Sequence, residues 1–230
     1  MKKLTILTLM LVSSLSMAQL PSSLVAPAEK NISFDDYNGT IYENTGFANA
    51  TVIDEKSSSF DAKLRYNIYD DIIEHKDGND FSQLVKNKTV HARIGEDYYY
   101  YCDFKTTRGV RRPGYYVLVE YTENYSIYKK YNLDITDPAV RTSPLDPVVP
   151  GKIRKSEEYF LEERGVIINL PMNKKEILVS FSDKSNELEK YMKKERIKVR
   201  KEEDLIRLVS RYHALKNGDS SSQSLLSNHY

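Results

Sequence analysis

Carboxylates, histidines and one thiol are the side chains of this chain with which chemistry could be done. Carboxylates adjoin at Asp35-Asp36 and Asp70-Asp71. Two carboxyl groups can hydrolyse a glycosidic bond when their separation is right and their acidities are pushed apart. Neighbours on an extended chain point to opposite faces, so neither doublet is a catalytic pair by itself, and both read as solvated turn residues. The histidines are His75, His91, His213 and His229. None has another at i+3 or i+4, so no local metal motif exists. His91 reads as a strand residue, and His213 as a packed or half-exposed side chain of the last helix. Asp77-Gly78-Asn79-Asp80 has part of the composition of a calcium loop. It lacks the alternating ligands and distal Glu of an EF-hand, so it reads as a hairpin turn. There is no Gly-x-Ser-x-Gly elbow, glycine-rich phosphate loop or His-Glu-x-x-His helix. Cys102 is the only cysteine. Its one near cation, Lys105, falls on the opposite face of a strand, so the thiol reads as a small buried hydrophobe. The expectation is a protein with no cofactor, no metal and no internal disulfide, and more a binding protein than an enzyme.

Tyrosine is the compositional anomaly. Of the 18 in the chain, most fall between Tyr66 and Tyr131. Tyrosine fills sheet surfaces well. Facing outward, it offers a rigid, amphipathic contact area at low entropic cost. Strand parity places Tyr69, Tyr99, Tyr101, Tyr116 and Tyr128 on the outer faces, where their rings could form one recognition patch. The absence of Trp weakens a sugar-stacking form of that idea.

These residues need a sheet to hold them. Residues 19–47 are polar, with Pro21, Pro27, Gly39 and Gly46, and read as a loose segment with at most one short strand. From 48 to 136 the pattern has period two. Leu64, Tyr66 and Ile68 alternate with polar neighbours; Ile72 and Ile73 belong to a paired strand; Val90–Ile94 is another, turning at Gly95-Glu96. In the next strand the even positions Tyr98, Tyr100, Cys102 and Phe104 are the more apolar, so that face is assigned to the core. Residues 106–114 read as a basic loop. Residues 115–122 and 125–133 make a hairpin turning at Glu123-Asn124, with Tyr115, Val117, Val119 and Tyr121 as the apolar face of its first arm. Strands at this spacing predict an antiparallel meander, curled or partly closed into a barrel.

Residues 137–151 carry Pro138, Pro144, Pro147 and Pro150 and read as an extended connector that ends the meander. Beyond it, 158–163 and 166–170 form a short hairpin turning at Arg164-Gly165. Asn173 with Glu176 is a capping-box-like helix start. Ser185 is positioned to cap a second helix. A third spans 201–216, with Leu205, Leu208, Val209 and Tyr212 on one face, and Asn217-Gly218 stops it before a disordered tail. Some 65 residues, roughly, make a marginal core alone, so this part should dock on the sheet. The fold class is α+β: a tyrosine-rich antiparallel meander or partial barrel, then a short hairpin and two or three helices.

The first eighteen residues carry the address. Met1-Lys2-Lys3, the apolar run from Leu4 to Leu15 and Ser16-Met17-Ala18 have the three parts of a secretory signal peptide cut before Gln19. The run is too short to span a membrane, which takes about 20 residues, and no other stretch approaches that length. Losing Lys2 and Lys3 takes the net charge from +1 to −1. So balanced a chain gives no electrostatic reason to expect nucleic acid or an anionic membrane. Between Lys174 and Lys216 cations outnumber acids, interleaved as on a solvated helix surface. A chain without disulfides behind such a leader points to a bacterial periplasm or exterior. Five Asn-x-Ser/Thr triplets, at Asn31, Asn38, Asn49, Asn87 and Asn124, match what chance supplies in so Asn- and Ser-rich a chain.

One resemblance bears on this. Leu170, Lys174-Lys175-Glu176-Ile177-Leu178, Phe181-Ser182-Asp183-Lys184, Glu187-Leu188 with Tyr191, and Lys201-Glu202-Glu203-Asp204-Leu205 resemble the C-terminal half of a family of exported bacterial (Bacteroidetes-type) envelope proteins of unknown function. Leu64-Arg65-Tyr66-Asn67-Ile68-Tyr69 is similar to the strand opening their β-region. The resemblance implies an envelope protein with a β-rich front and a helical end, and it carries over no catalytic residue. The expected function is an exported, non-enzymatic module that binds an envelope protein, peptide or glycan through its aromatic sheet. The alternatives are a hydrolase of envelope polymers whose Asp and Glu residues meet only in the fold, and a structural accessory of an envelope complex.

Overall fold

One long strand joins the two halves of the sheet. The computed structural model describes residues 20–28, 33–140, 143 and 147–226, with side chains to 218. The expected leader and its cut, Asn31, Pro144 and residues 227–230 lie outside the described residues. The strands are β1 (Val25–Pro27), β2 (Tyr37–Asn38), β3 (Ala48–Asp54), β4 (Ser59–Asn67), β5 (Ile72–Asp77), β6 (Asp80–Leu84), β7 (Val90–Ile94), β8 (Asp97–Thr106), β9 (Arg111–Tyr121), β10 (Ser126–Thr136), β11 (Gly151–Glu163) and β12 (Val166–Leu170). Helices α1 (Lys174–Ser180), α2 (Ser185–Lys194) and α3 (Glu202–Leu226) follow. The fold is α+β, as the pattern predicts.

The first half of β8 pairs with β7 and extends a wholly antiparallel wing in the order β1-β6-β5-β4-β3-β7-β8. Its last residues turn to another neighbour. Lys105 and Thr106 pair in parallel with Val166 and Ile167 of β12. Since β8–β9, β9–β10, β10–β11 and β11–β12 also pair, hydrogen bonding closes into a five-stranded ring. A register shift between Ile127 and Tyr128 lets β10 leave β9 and run on with β11 as a two-stranded ribbon. Bulges produce such bends.

Local chemistry accounts for the turns. Gly78 (φ 58°) and Gly95 (φ 62°) sit in two-residue hairpins. Arg164 (φ 55°) and Gly165 (φ 82°) supply the two positive φ angles that a type I′ turn requires. Asn173 caps α1 by accepting from the Lys175 N–H at 2.9 Å.

Three apolar clusters hold the molecule. The first lies beneath the wing and joins Leu20, Val52, Leu64, Tyr66 and Ile73 to Tyr99, Tyr115 and Val117. The second binds the helices to the outer face of the ring, through Ile127, Tyr159, Leu161 and Leu170 against Ile177, Phe181, Leu188, Leu205 and Leu208. The third takes Phe104 and Cys102 from β8, Tyr116 from β9, Tyr128 from β10, Phe160 from β11 and Ile167 from β12. Side chains from all five ring strands meet only in its interior, so the ring is a filled barrel.

Several expectations change. The sheet does not end at the proline-rich connector. β11 resumes at Gly151 and pairs with β10 from Thr136–Lys152 to Ser126–Glu162, because Pro138, Pro147 and Pro150 all lie between the two strands. The basic loop is shorter than residues 106–114, since β9 begins at Arg111. Ser185 lies within α2, and the cap position falls to Lys184, with no side-chain cap bond. Gly218 does not end α3, which continues to Leu226. The N-terminal segment is tied down: Leu20 and Leu24 are buried, β1 pairs with β6, and β2 lies parallel to β11.

Candidate functional site

The five tyrosines do not make one surface. Tyr99 and Tyr116 are buried, at 1% and 2% exposure, which corrects their outward assignment. Tyr99 and the half-buried Tyr101 point into the wing core, where Tyr101 meets Tyr115 edge-on at 5.6 Å. Tyr116 and Tyr128 fill the ring interior around Phe104, each 5.0 Å from its centroid. Tyr69 alone is exposed, against Phe34. The physical reason is that β8 and β9 carry apolar cover on both faces, so neither parity is the outside. Aromatics on both faces of Tyr98–Phe104 were the visible signal. Tyr121, assigned to the core face of its strand, is 75% exposed at the strand end.

The surface feature that remains is a groove of about 1400 Å³ on the wing. Register brings its polar lining together. Asn49 lies opposite Lys63; Thr51 lies opposite Asp61 on one side and Arg93 on the other. These five residues share one sheet face, as alternate positions must, and all but the half-buried Thr51 are exposed. Phe47 supplies apolar contact in the same groove, and His75 and Lys76 line it from β5; Phe60, opposite Val52, borders it but turns its ring to the wing core. Phe47 is held by neighbours: the Arg65 guanidinium lies 4.4 Å from its ring and the Lys76 ammonium 6.0 Å. Arg65 is itself fixed by Glu74, whose carboxylate accepts at 2.5 Å. No sequence motif announces this groove, because its residues come from four strands.

Several buried titratable groups are tied to one another. Buried Lys129 of β10 lies 3.5 Å from Asp97 of β8 and 3.6 Å from Glu202 at the start of α3. Tyr131 donates its hydroxyl to Asp97 at 2.6 Å, and Tyr159 donates to Glu202 at 2.8 Å. This bridge runs from the wing through the ribbon to the helices. Beside it, burial pushes the Glu43 carboxyl up from its ordinary value. Asp70 is exposed, as a turn residue should be, whereas Asp71 is drawn inward by Tyr66, Tyr115 and Lys130. His91 is a buried strand residue with Nε2 2.6 Å from Glu55 Oε1, and His213 is buried against Tyr125. Burial pushes the Cys102 thiol up to about 12, so it stays protonated and inert at neutral pH. Among the described residues no group of three or more His, Cys, Asp or Glu side chains is placed to hold a metal ion. No described helix is long and apolar enough to cross a membrane.

The fold and the groove thus define a class in structural terms: a five-stranded ring carrying a sheet wing and a helical cap. Compared with known proteins, the chain matches no family model, no curated protein and no solved structure.

Proposed function

We propose that this is an exported binding module of a bacterial envelope, and that its ligand is a polar polymer of that envelope received along the wing groove. The reading rests on one observation: Asn49, Thr51, Asp61, Lys63 and Arg93 line one side of a groove of about 1400 Å³ that also holds the Phe47 ring. Binding sites pair apolar lining with a few placed polar groups in this way. Amides, hydroxyls and charges of both signs suit a glycan bearing a short peptide better than a greasy ligand. The groove replaces the tyrosine patch as the proposed contact surface. The exported address comes from the leader and from the resemblance to envelope proteins, both readings of the sequence.

Soluble peptidoglycan fragments, each a glycan carrying a short peptide, are the probe. Titrated into the ¹⁵N-labelled chain, they should shift the backbone amides of Asn49, Thr51, Asp61, Lys63 and Arg93. Lys63→Glu with Arg93→Glu should weaken binding about tenfold or more, the effect of about 1.4 kcal/mol. Shifts confined to other parts of the molecule, or none, would sink the reading. Mass spectra of the recovered fragments should be unchanged; cleaved fragments would favour the hydrolase instead.

A further inference from the structure

A second surface lies on the helical cap. Residues 190–201 carry Lys190, Lys193, Lys194, Arg196, Lys198, Arg200 and Lys201, with Glu195 as the one acid. All seven cations are exposed. The turn between α2 and α3 borders a slot of about 500 Å³. Its floor is apolar: Met172, half-buried, over Met192, Ile197 and Val199, which are buried in the core of the cap. Every charged side chain lining it is a cation: Lys174, Lys198, Arg200 and Lys201. Of the nearby acids, Glu202 is engaged with Lys129 and Tyr159, Asp204 with Arg207 and the Lys198 N–H, and Glu189 with Lys174 and Lys193, while Glu203 is exposed. The whole-chain charge near zero hides this asymmetry, because it is a sum over all residues.

We propose that this end of the helical cap docks on an anionic phospholipid surface. The four cations meet lipid phosphates, and the half-buried Met172 at the mouth of the apolar floor meets the carbon of the glycerol and upper acyl region. Charge and polarity together select this occupant. A free phosphate has no use for an apolar floor, and an acidic peptide would leave Met172 unmatched. Methionine suits a floor that must fit mobile chains, being unbranched and polarizable. Docking here is independent of the groove: lipid meets the cap, and polymer meets the wing.

The test uses the chain from Gln19 onward, which contains every described residue and lacks the apolar leader that would bind vesicles by itself. Sedimentation with vesicles of phosphatidylcholine containing phosphatidylglycerol should carry the protein down; vesicles of phosphatidylcholine alone should not. Each basic residue near such a surface contributes about fivefold to partitioning. Replacing Lys174, Lys198, Arg200 and Lys201 together by Gln should therefore lower it on the order of a hundredfold or more. Raising the salt until the Debye length is about 3 Å should release the protein. Unchanged circular dichroism would show that the variant is folded. Lys63→Gln with Arg93→Gln, in the groove, should leave partitioning unaltered. Equal binding to both vesicles, no binding, or insensitivity to the fourfold change would overturn the proposal. So would displacement by millimolar inorganic phosphate, the mark of a free-anion site, or tight binding of polyglutamate without lipid, the mark of an acidic protein partner.

Discussion

Asp71 shows how much one residue of an ordinary doublet can do. It adopts φ 52°, a left-handed conformation that Asp tolerates better than most residues. From there its carboxylate accepts from the Tyr66 hydroxyl at 2.6 Å and from the Tyr115 N–H at 3.2 Å, and lies 3.4 Å from the Lys130 ammonium. The β4–β5 turn is thus fastened to β9 and β10. Gly114, with φ 154°, makes the approach possible: a Cβ there would lie 2.5 Å from both Asp71 Oδ2 and Lys130 Nζ. Gly114→Ala should therefore destabilise the protein by about 1–3 kcal/mol, the cost of overpacking a fitted site. Asp71→Ala should cost a similar about 1–3 kcal/mol, by leaving partly buried donors unmatched. Urea midpoints with unchanged slopes would measure both, and two variants as stable as the parent would show that the fastening is incidental. None of this was legible locally. Asp70-Asp71 reads as a solvated turn, and half of it is one; the other half is claimed by a strand more than forty residues away.

At the scale of elements, the legible parts were those set by their own residues. Val90–Ile94 alternates and ends at Gly95, and the strand has those bounds. Asn173 before Lys174 caps α1 as expected. What the chain did not disclose locally was partnership, such as β12 with β8 or β11 with β10. α3 illustrates the difference. Its apolar face is plain, but His213 beside that face lies stacked on Tyr125 from the β9–β10 turn, ring centroids 4.0 Å apart. Its Nε2 is 3.4 Å from Glu163 Oε1 of β11 but without hydrogen-bond alignment. Tyr212 and Lys216 approach from its own helix. Burial holds the imidazole below its ordinary value of 6.5, with Lys216 acting in the same direction and Glu163 against it. A depressed value means that the unfolded chain takes the proton first. The stability His213 provides is therefore present above pH 6.5 and lost as pH falls through the lower, folded-state value. The urea midpoint should decline from pH 7 to pH 5. His213→Phe, which keeps a ring on Tyr125, should flatten that decline. The carboxylates held low, Asp54, Asp103, Glu189 and Asp204, titrate below this window; His75, which burial also holds low, and Glu43, which burial pushes up, stay in the variant and keep their share of the decline. A decline of equal slope in the variant would assign it to another group.

At the scale of the whole molecule, tyrosine is the material of the interior rather than of a surface. Its abundance was legible and its direction was not, because direction depends on a ring that closes through two residue pairs between β8 and β12. The closure puts one set of rings inside the barrel; the wing folding over β8 and β9 encloses another. Burial, the largest cause in each case, pushes the hydroxyls of Tyr116, Tyr125 and Tyr212 up to about 12. It pushes Tyr66, Tyr99, Tyr115, Tyr128, Tyr131 and Tyr159 higher still. These groups belong to all three clusters or line their borders, so their ionisation is a property of the fold. A raised value means that the folded chain keeps its protons longer. Their contribution is whole below pH 10, the ordinary tyrosine value, and is lost as pH rises through the folded-state values. The unfolded chain then gains with every proton released. Because β8 is common to the wing and the ring, the two should fail together. Absorbance at 295 nm, followed upward from pH 9, should show a steep step from the buried tyrosines, coincident with loss of the far-ultraviolet β signal. Independent, gradual ionisation of all 18 tyrosines with the β signal intact would mean that the rings are accessible and that the interior described here is wrong.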